Sequence, residues 1–228
     1  MSVCTVSTDG RCVSSGGVPQ ASLSRAEHSN RVSPYIEYVG ERAIVKANDG
    51  QAEYATIPET IDILRYVAES LSLSFSRWDE PYVTGPSLYF IVVADIDFGR
   101  YTDPLGDNTW PVEQCRSVGI TSNEFIDAAR NVAFSCDGAV VIAADKTIQE
   151  QMVRVRTPNT TEAVEETPIA SAAWMGTKHL SALEVSLREE VLASVTLSEE
   201  NGRVTVFRSG EYTDREREEL GGRWRTAH

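Results

Sequence analysis

Hydrophobic positions recur at different periods along this chain, and the changes of period mark its elements. From Ile57 the residues Ile57, Ile61, Leu64, Ala68, Leu71 and Phe75 return every three or four positions, the repeat of one helix face. Thr56 and Glu59 have capping-box spacing, and Pro58 falls in the first turn, where its missing N–H does no harm. Residues 88–94 are an unbroken apolar run, short and rich in β-branched side chains, which predicts a buried strand. Phe125, Ile126, Ala129, Val132 and Ala133 predict a second helix, with Thr121 and Glu124 as its capping box. It delivers the chain into Asp137, and residues 138–144 read as a central strand. Asp145-Lys146 predicts a hairpin turn, returning through Ile148 to a strand near Met152, Val153 and Val155. A third helix follows Gly176, with apolar positions Leu180, Leu183 and Leu187. Residues 191–197 predict a strand, 198–202 a turn, and 204–207 its hairpin partner.

Polar stretches separate these elements. Residues 79–86, with two prolines and a glycine, predict a loop, as does the Gly, Pro, Asp and Asn chemistry of 99–111. Asp95-Ile96-Asp97 reads as a strand-end turn with two solvated acids, and as a metal pair only in second place. Residues 157–167 are polar and acid-rich, a surface excursion. Residues 1–33, frequent in Ser, Gly and Pro and without period, predict a disordered tail. A short β-containing lead-in over 34–56, with Asn48-Asp49-Gly50 as a turn, precedes the main domain of 57–212, and 213–228 reads as a charged tail. Helices interleave with strands that include several hairpins. The expected class is α/β, a central mixed β-sheet flanked by helices.

Composition narrows the function. The 228 residues, 41% hydrophobic and 24% charged, suit a globular chain with one good core. No apolar run approaches the roughly 20 residues of a membrane span. The first 17 residues have no hydrophobic centre, so a secretory signal is not expected and the cytoplasm is the expected location. A net charge of −13 argues against nucleic acid and anionic membrane as partners. Of the 21 basic residues only Lys46, Lys146 and Lys178 are lysines. With the acid excess this fits either a halophile or a GC-rich genome. Cys4, Cys12, Cys115 and Cys136 form no C-x-x-C pair, and zinc-ligand spacing is absent.

Three stretches carry candidate chemistry. Asp137-Gly138-Ala139 puts a carboxylate where a helix meets a strand, with a glycine to admit a ligand. Gly176-Thr177-Lys178-His179 opens a helix, whose free N–H groups and macrodipole favour a phosphate. Ser198-Glu199-Glu200 is a hairpin turn with two acids. Each has a plainer reading on its own: a backbone-capping aspartate, an N-cap threonine beside solvated Lys and His, and exposed turn glutamates. Neither a Walker loop nor a G-x-S-x-G elbow is present.

Taken together and in this order, the three stretches resemble diadenylate cyclases over about residues 57–210, and most nearly the compact archaeal type without a helical DNA-binding domain. The family pattern is Asp-Gly-Ala before a strand, Gly-Thr-Arg-His-Arg before a helix, and Ser-Glu-Glu-x-Gly before a closing strand. The resemblance implies a nucleotidyltransferase that condenses two ATP into the second messenger cyclic di-AMP, releasing pyrophosphate. It implies Asp137, Lys178 and His179 as catalytic residues, and Gly138, Ala139, Gly176, Thr177, Ser198 and Glu199 as nucleotide-binding. Asp137 and Glu200 would hold Mg²⁺ or Mn²⁺. Two subunits, each with one ATP, would meet in a face-to-face homodimer, with which a larger homo-oligomer is compatible. The chain departs from the pattern at Lys178 and Leu180, where the family has arginines; Arg154 or Arg156 is a candidate substitute. Cys136 stands where many bacterial relatives have histidine. A degenerate nucleotide-binding regulator of the same fold is the alternative.

Overall fold

A computed structural model describes residues 35–39, 42–47, 50–52, 57–119, 123–156 and 171–222, the first three stretches by backbone alone. The expected tail 1–33, Asn48, Asp49, the capping threonines Thr56 and Thr121, and the excursion 157–167 lie outside the described residues. Strands β1 (Tyr35–Val39), β2 (Arg42–Ala47) and β3 (Gly50–Ala52) make an antiparallel sheet of their own.

Helix α1 (Ile57–Ser74) follows the predicted face. Ile57, Ile61, Leu64, Ala68 and Leu71 are buried, and Ile63 and Val67 widen the stripe. Phe75 lies past the last turn, edge-on to Trp78 at 4.9 Å. Strand β4 (Leu88–Val93) is buried throughout. Its side chains alternate: Leu88, Phe90 and Val92 join the core under α1 and α2 (Glu124–Ser135), whereas Tyr89, Ile91 and Val93 join the core under α3 (Thr177–Val185). Helix α2 begins at Glu124, with Asn123 at the N-cap position.

The main sheet runs β10 (Glu211–Arg215), β9 (Val204–Arg208), β8 (Val191–Leu197), β4, β6 (Val140–Ala143). Only β4 and β6 are parallel; every other neighbour is antiparallel. The fold is therefore α/β with a mixed sheet, α1 and α2 on one face and α3 on the other. The sequence places residues 138–144 at the centre of the sheet; β4 and β8 hold that place, and β6 closes its end. The outer side of β6 is covered by the chain leading into β7 (Gln151–Val155): Ala139 and Val153 exchange N–H···O bonds of 2.7 and 3.0 Å, and Gln149 N–H donates to Val141 O at 2.9 Å. The intervening turn sits at Asp145-Lys146 as predicted, with Lys146 at φ 73° and the Thr147 N–H on the Asp145 carboxylate.

Two polar stretches are more ordered than their composition suggests. The expected loop 99–111 contains strand β5 (Thr102–Thr109), antiparallel to β7. Its register breaks between Pro104 and Thr109, so the Gly106, Asp107 and Asn108 turn chemistry is spent on a bulge inside the ladder. The expected charged tail from 213 forms β10 and a 3-10 turn, Arg217–Glu219. Arg203 pairs with Asp214 and, at 2.6 Å, with Glu216; Leu220 is buried; and Gly221 N–H donates to the buried Glu69 carboxylate at 3.0 Å. Among the described residues no helix is long and apolar enough to cross a membrane.

Candidate functional site

Strand register brings the three stretches to one end of the sheet. β4 pairs Phe90 with Val140, and Leu88 with Leu197. Extending both ladders outward sets Ser87 between position 137 on one side and position 198 on the other. Helix α3 starts over the same end. The Lys178 ammonium contacts the Ser87 hydroxyl and lies 3.9 Å from a Glu199 carboxylate oxygen. Backbone bonds fix this corner: Ser87 N–H donates to Ala133 O and Gly85 N–H to Glu199 O, both at 2.9 Å.

Electrostatics links Asp137 to the group. Burial lowers the Lys178 pKa, while the negative charges of Glu199 and Asp137 oppose that shift. Asp137 itself is exposed, its backbone carbonyl accepting a 2.9 Å bond from the Asn108 amide. Gly138 has φ +101°, and a Cβ there would meet the Leu105 side chain and Val153 O at 3.1 Å each. Only glycine fits so close an approach in that conformation. Ala139 is fully buried beside it.

At the start of α3, Gly176 and Thr177 are exposed, and the N-cap residue Gly176 has no side chain with which to cap the helix. The first amides and the positive end of the helix dipole therefore lie in the turn that carries Lys178. His179 turns the other way. It is 7% exposed, stands edge-on to Trp174 at 5.1 Å, and its Nε2 has no hydrogen-bond partner among the described residues. Burial first, then the charges of Lys178 and Arg203, push its pKa down to about 4 against the pull of Asp214, so the ring is neutral at pH 7. Leu180, expected on the buried face, is 37% exposed; the buried positions are His179, Ala182, Leu183 and Val185. Leu187, at 39%, lies beyond the last helical turn.

The closing turn splits its acids. Ser198 is buried, its hydroxyl accepting from Glu200 N–H at 3.4 Å. Glu199 faces Lys178, whereas Glu200 lines a groove of about 220 Å³ with Trp78, Asp79, Arg203 and Arg217. Lys178 and Glu199 are therefore brought together at the sheet end to which register assigns Asp137, and His179 and Glu200 are directed elsewhere. Arg154 and Arg156 both pair with Asp103, at 3.1 and 3.3 Å. Cys136 is half-buried against Ser135. Among the described residues no three His, Cys, Asp or Glu side chains converge as a metal cluster.

Ser87 is the member of this corner that the sequence does not announce. It ends a proline-containing loop, and only the pairing of β4 with β6 and β8 sets it beside Asp137 and Ser198.

No family model matches the chain, and no curated protein does. Among solved structures the chain is similar to a double-cysteine variant of DacA from Staphylococcus aureus, at 16% identity and a TM-score of 0.43, over 71% of this chain and 89% of that one. It is also similar to a hypothetical membrane spanning protein from Bacillus cereus, at 14% identity and a TM-score of 0.46, over 68% of this chain and 63% of that one.

Proposed function

We propose that the chain is a diadenylate cyclase, joining two ATP into cyclic di-AMP with release of two pyrophosphates. The observation that carries this reading is the Lys178–Glu199 pair at the sheet end to which register assigns Asp137, beside the N-terminus of α3. Phosphoryl-type transfer asks mainly for positioning and charge neutralisation, and this corner offers both. The first amides of α3 and the Lys178 ammonium hold the triphosphate. Glu199 balances the Lys178 charge at 3.9 Å until a phosphate takes its place. The exposed Asp137 carboxylate accepts the proton of a ribose 3'-hydroxyl as its oxygen bonds to the α-phosphorus of the other ATP and pyrophosphate leaves. Two half-reactions of this kind require two subunits face to face. His179 serves from behind, as a neutral strut under the turn.

A divalent ion fits the donors present. Mg²⁺ is commonly held by one or two carboxylates plus substrate phosphates, and Asp137 is the carboxylate that would hold Mg²⁺ or Mn²⁺ here, neutralising phosphate charge when bound. Glu200, the other acid assigned to the metal by resemblance, would reach it only by leaving its groove. One observation favours a second reading, a nucleotide-binding regulator without turnover: Leu180 sits exposed where the family's second arginine belongs, and its side chain has no polar group. Purified protein incubated with ATP and Mn²⁺ or Mg²⁺ separates the two by mass spectrometry. Cyclic di-AMP is expected; bound ATP without product at any metal or salt concentration would establish the regulator.

A further inference from the structure

We propose that Ser87 is the positioning residue of the phosphate site, aiming the Lys178 ammonium and forming with it a two-donor clamp. The role rests on reading this corner as a nucleotide site. A lysine ammonium is a compact charge on a flexible four-carbon stem, and it lacks the fixed fork with which arginine holds a phosphate. Something else must aim it. The Ser87 hydroxyl contacts the ammonium directly, whereas the Glu199 carboxylate stands off at 3.9 Å on a turn and is half exposed.

Ser87 is suited to that task because its backbone cannot wander. Its N–H is bonded to Ala133 O at the end of α2, the next residue enters the central strand β4, and the preceding Pro86 and Gly85 are buried, Gly85 being tied to Glu199 O. A serine oxygen that accepts from the ammonium still has its own hydrogen to donate. Ammonium and hydroxyl then present two donors side by side at the sheet end that also carries Asp137. That pair restores part of the geometry that arginine would have given.

Ser87→Ala and Ser87→Thr in the full chain test this with two readouts. The first is the rate at which an amine-acylating reagent labels Lys178, followed by peptide mass spectrometry with Lys146 as internal reference and repeated with ATP present. Ser87→Ala is expected to speed Lys178 labelling several-fold relative to Lys146 and to weaken protection by ATP, while Ser87→Thr stays near wild type. The second readout is cyclic di-AMP formation, expected to fall about tenfold in Ser87→Ala, the effect of one hydrogen bond to a charged group, and to be rescued in Ser87→Thr. Wild-type labelling of Lys178 in Ser87→Ala would overturn the proposal, as would equal acceleration at Lys146, which marks general loosening. If wild type makes no product but ATP protects Lys178 and Ser87→Ala loses that protection, the cyclase reading fails and the role of Ser87 stands. If product forms and Ser87→Ala changes neither readout, the cyclase stands and the role of Ser87 fails.

Discussion

The two faces of the main sheet are built on different rules. Toward α1 and α2, strands β4, β6 and β8 send Phe90, Val92, Ile142, Val195 and Leu197 into an apolar core with Trp110 and Phe125. Toward α3 the same strands also send polar groups: Ser194 donates to Ala182 O at 3.1 Å, and Thr196 and its β9 neighbour Thr205 are fully buried with hydroxyls that have no partner among the described residues. His179 adds a ring Nε2 with no partner among the described residues. Buried groups of this kind cost stability. The strands' α1 and α2 side is thus apolar, whereas their α3 side mixes an apolar cluster of Ile91, Val141, Leu183 and Phe207 with buried polar groups, behind the corner that holds Lys178 and Glu199.

Breaking the apolar face should have the largest effect. Phe90→Ala removes a fully buried ring from contact with Trp110 and Phe125 and should cost about 3–5 kcal/mol by denaturant titration. A loss below about 1 kcal/mol would mean that this core is not what holds the sheet.

His179 comes next, through pH. Its folded pKa of about 4 lies below the ordinary value near 6.5, so the unfolded chain takes the proton first. The contribution of the neutral ring is complete above pH 6.5 and is lost as pH falls toward 4, at up to about 1.4 kcal/mol per pH unit. Wild type should lose stability more steeply than His179→Phe over that window, and parallel pH profiles would place the imidazole in water.

A smaller change tests the exposed helix face. Leu180→Arg should leave the melting temperature within about 2 °C, because the side chain already reaches solvent. It should also tighten ATP binding about tenfold by calorimetry, one charge-assisted hydrogen bond's worth. Unchanged affinity would separate position 180 from the phosphates. The smallest effect is expected at Thr196→Val, which removes an unpartnered hydroxyl at nearly constant volume and should be neutral or stabilising by about 1 kcal/mol. A loss above 1 kcal/mol would show that the hydroxyl does have a partner.

This asymmetry was only partly legible in the sequence. In β8, Ala193, Val195 and Leu197 alternate with Ser194 and Thr196, so the polar face can be read directly. In β4 the unbroken apolar run hides which residues face which layer. The buried face of α3 differs from the expected one because nine residues give too few repeats to separate Leu180 from the buried set of His179, Ala182 and Leu183. Strand β5 was unreadable because Pro104 and Gly106 signal a turn whether or not a ladder surrounds it. The order beyond Gly210 depends on pairs such as Arg203 with Asp214, eleven residues apart in sequence, which no local period records. The three stretches of the candidate site were visible as chemistry, but which glutamate faces Lys178, and that Ser87 stands among them, followed only from strand pairing.

The most direct measurement is the rate of cyclic di-AMP formation from ATP by wild type and by Asp137→Asn, with the thermal melt of each recorded alongside. Asp137 is exposed, so the variant should melt like wild type, and its turnover should fall at least about a hundredfold, as expected when a group that takes a proton in the reaction is removed. Undiminished turnover in a folded Asp137→Asn protein would contradict the assignment of this end of the sheet as the active site.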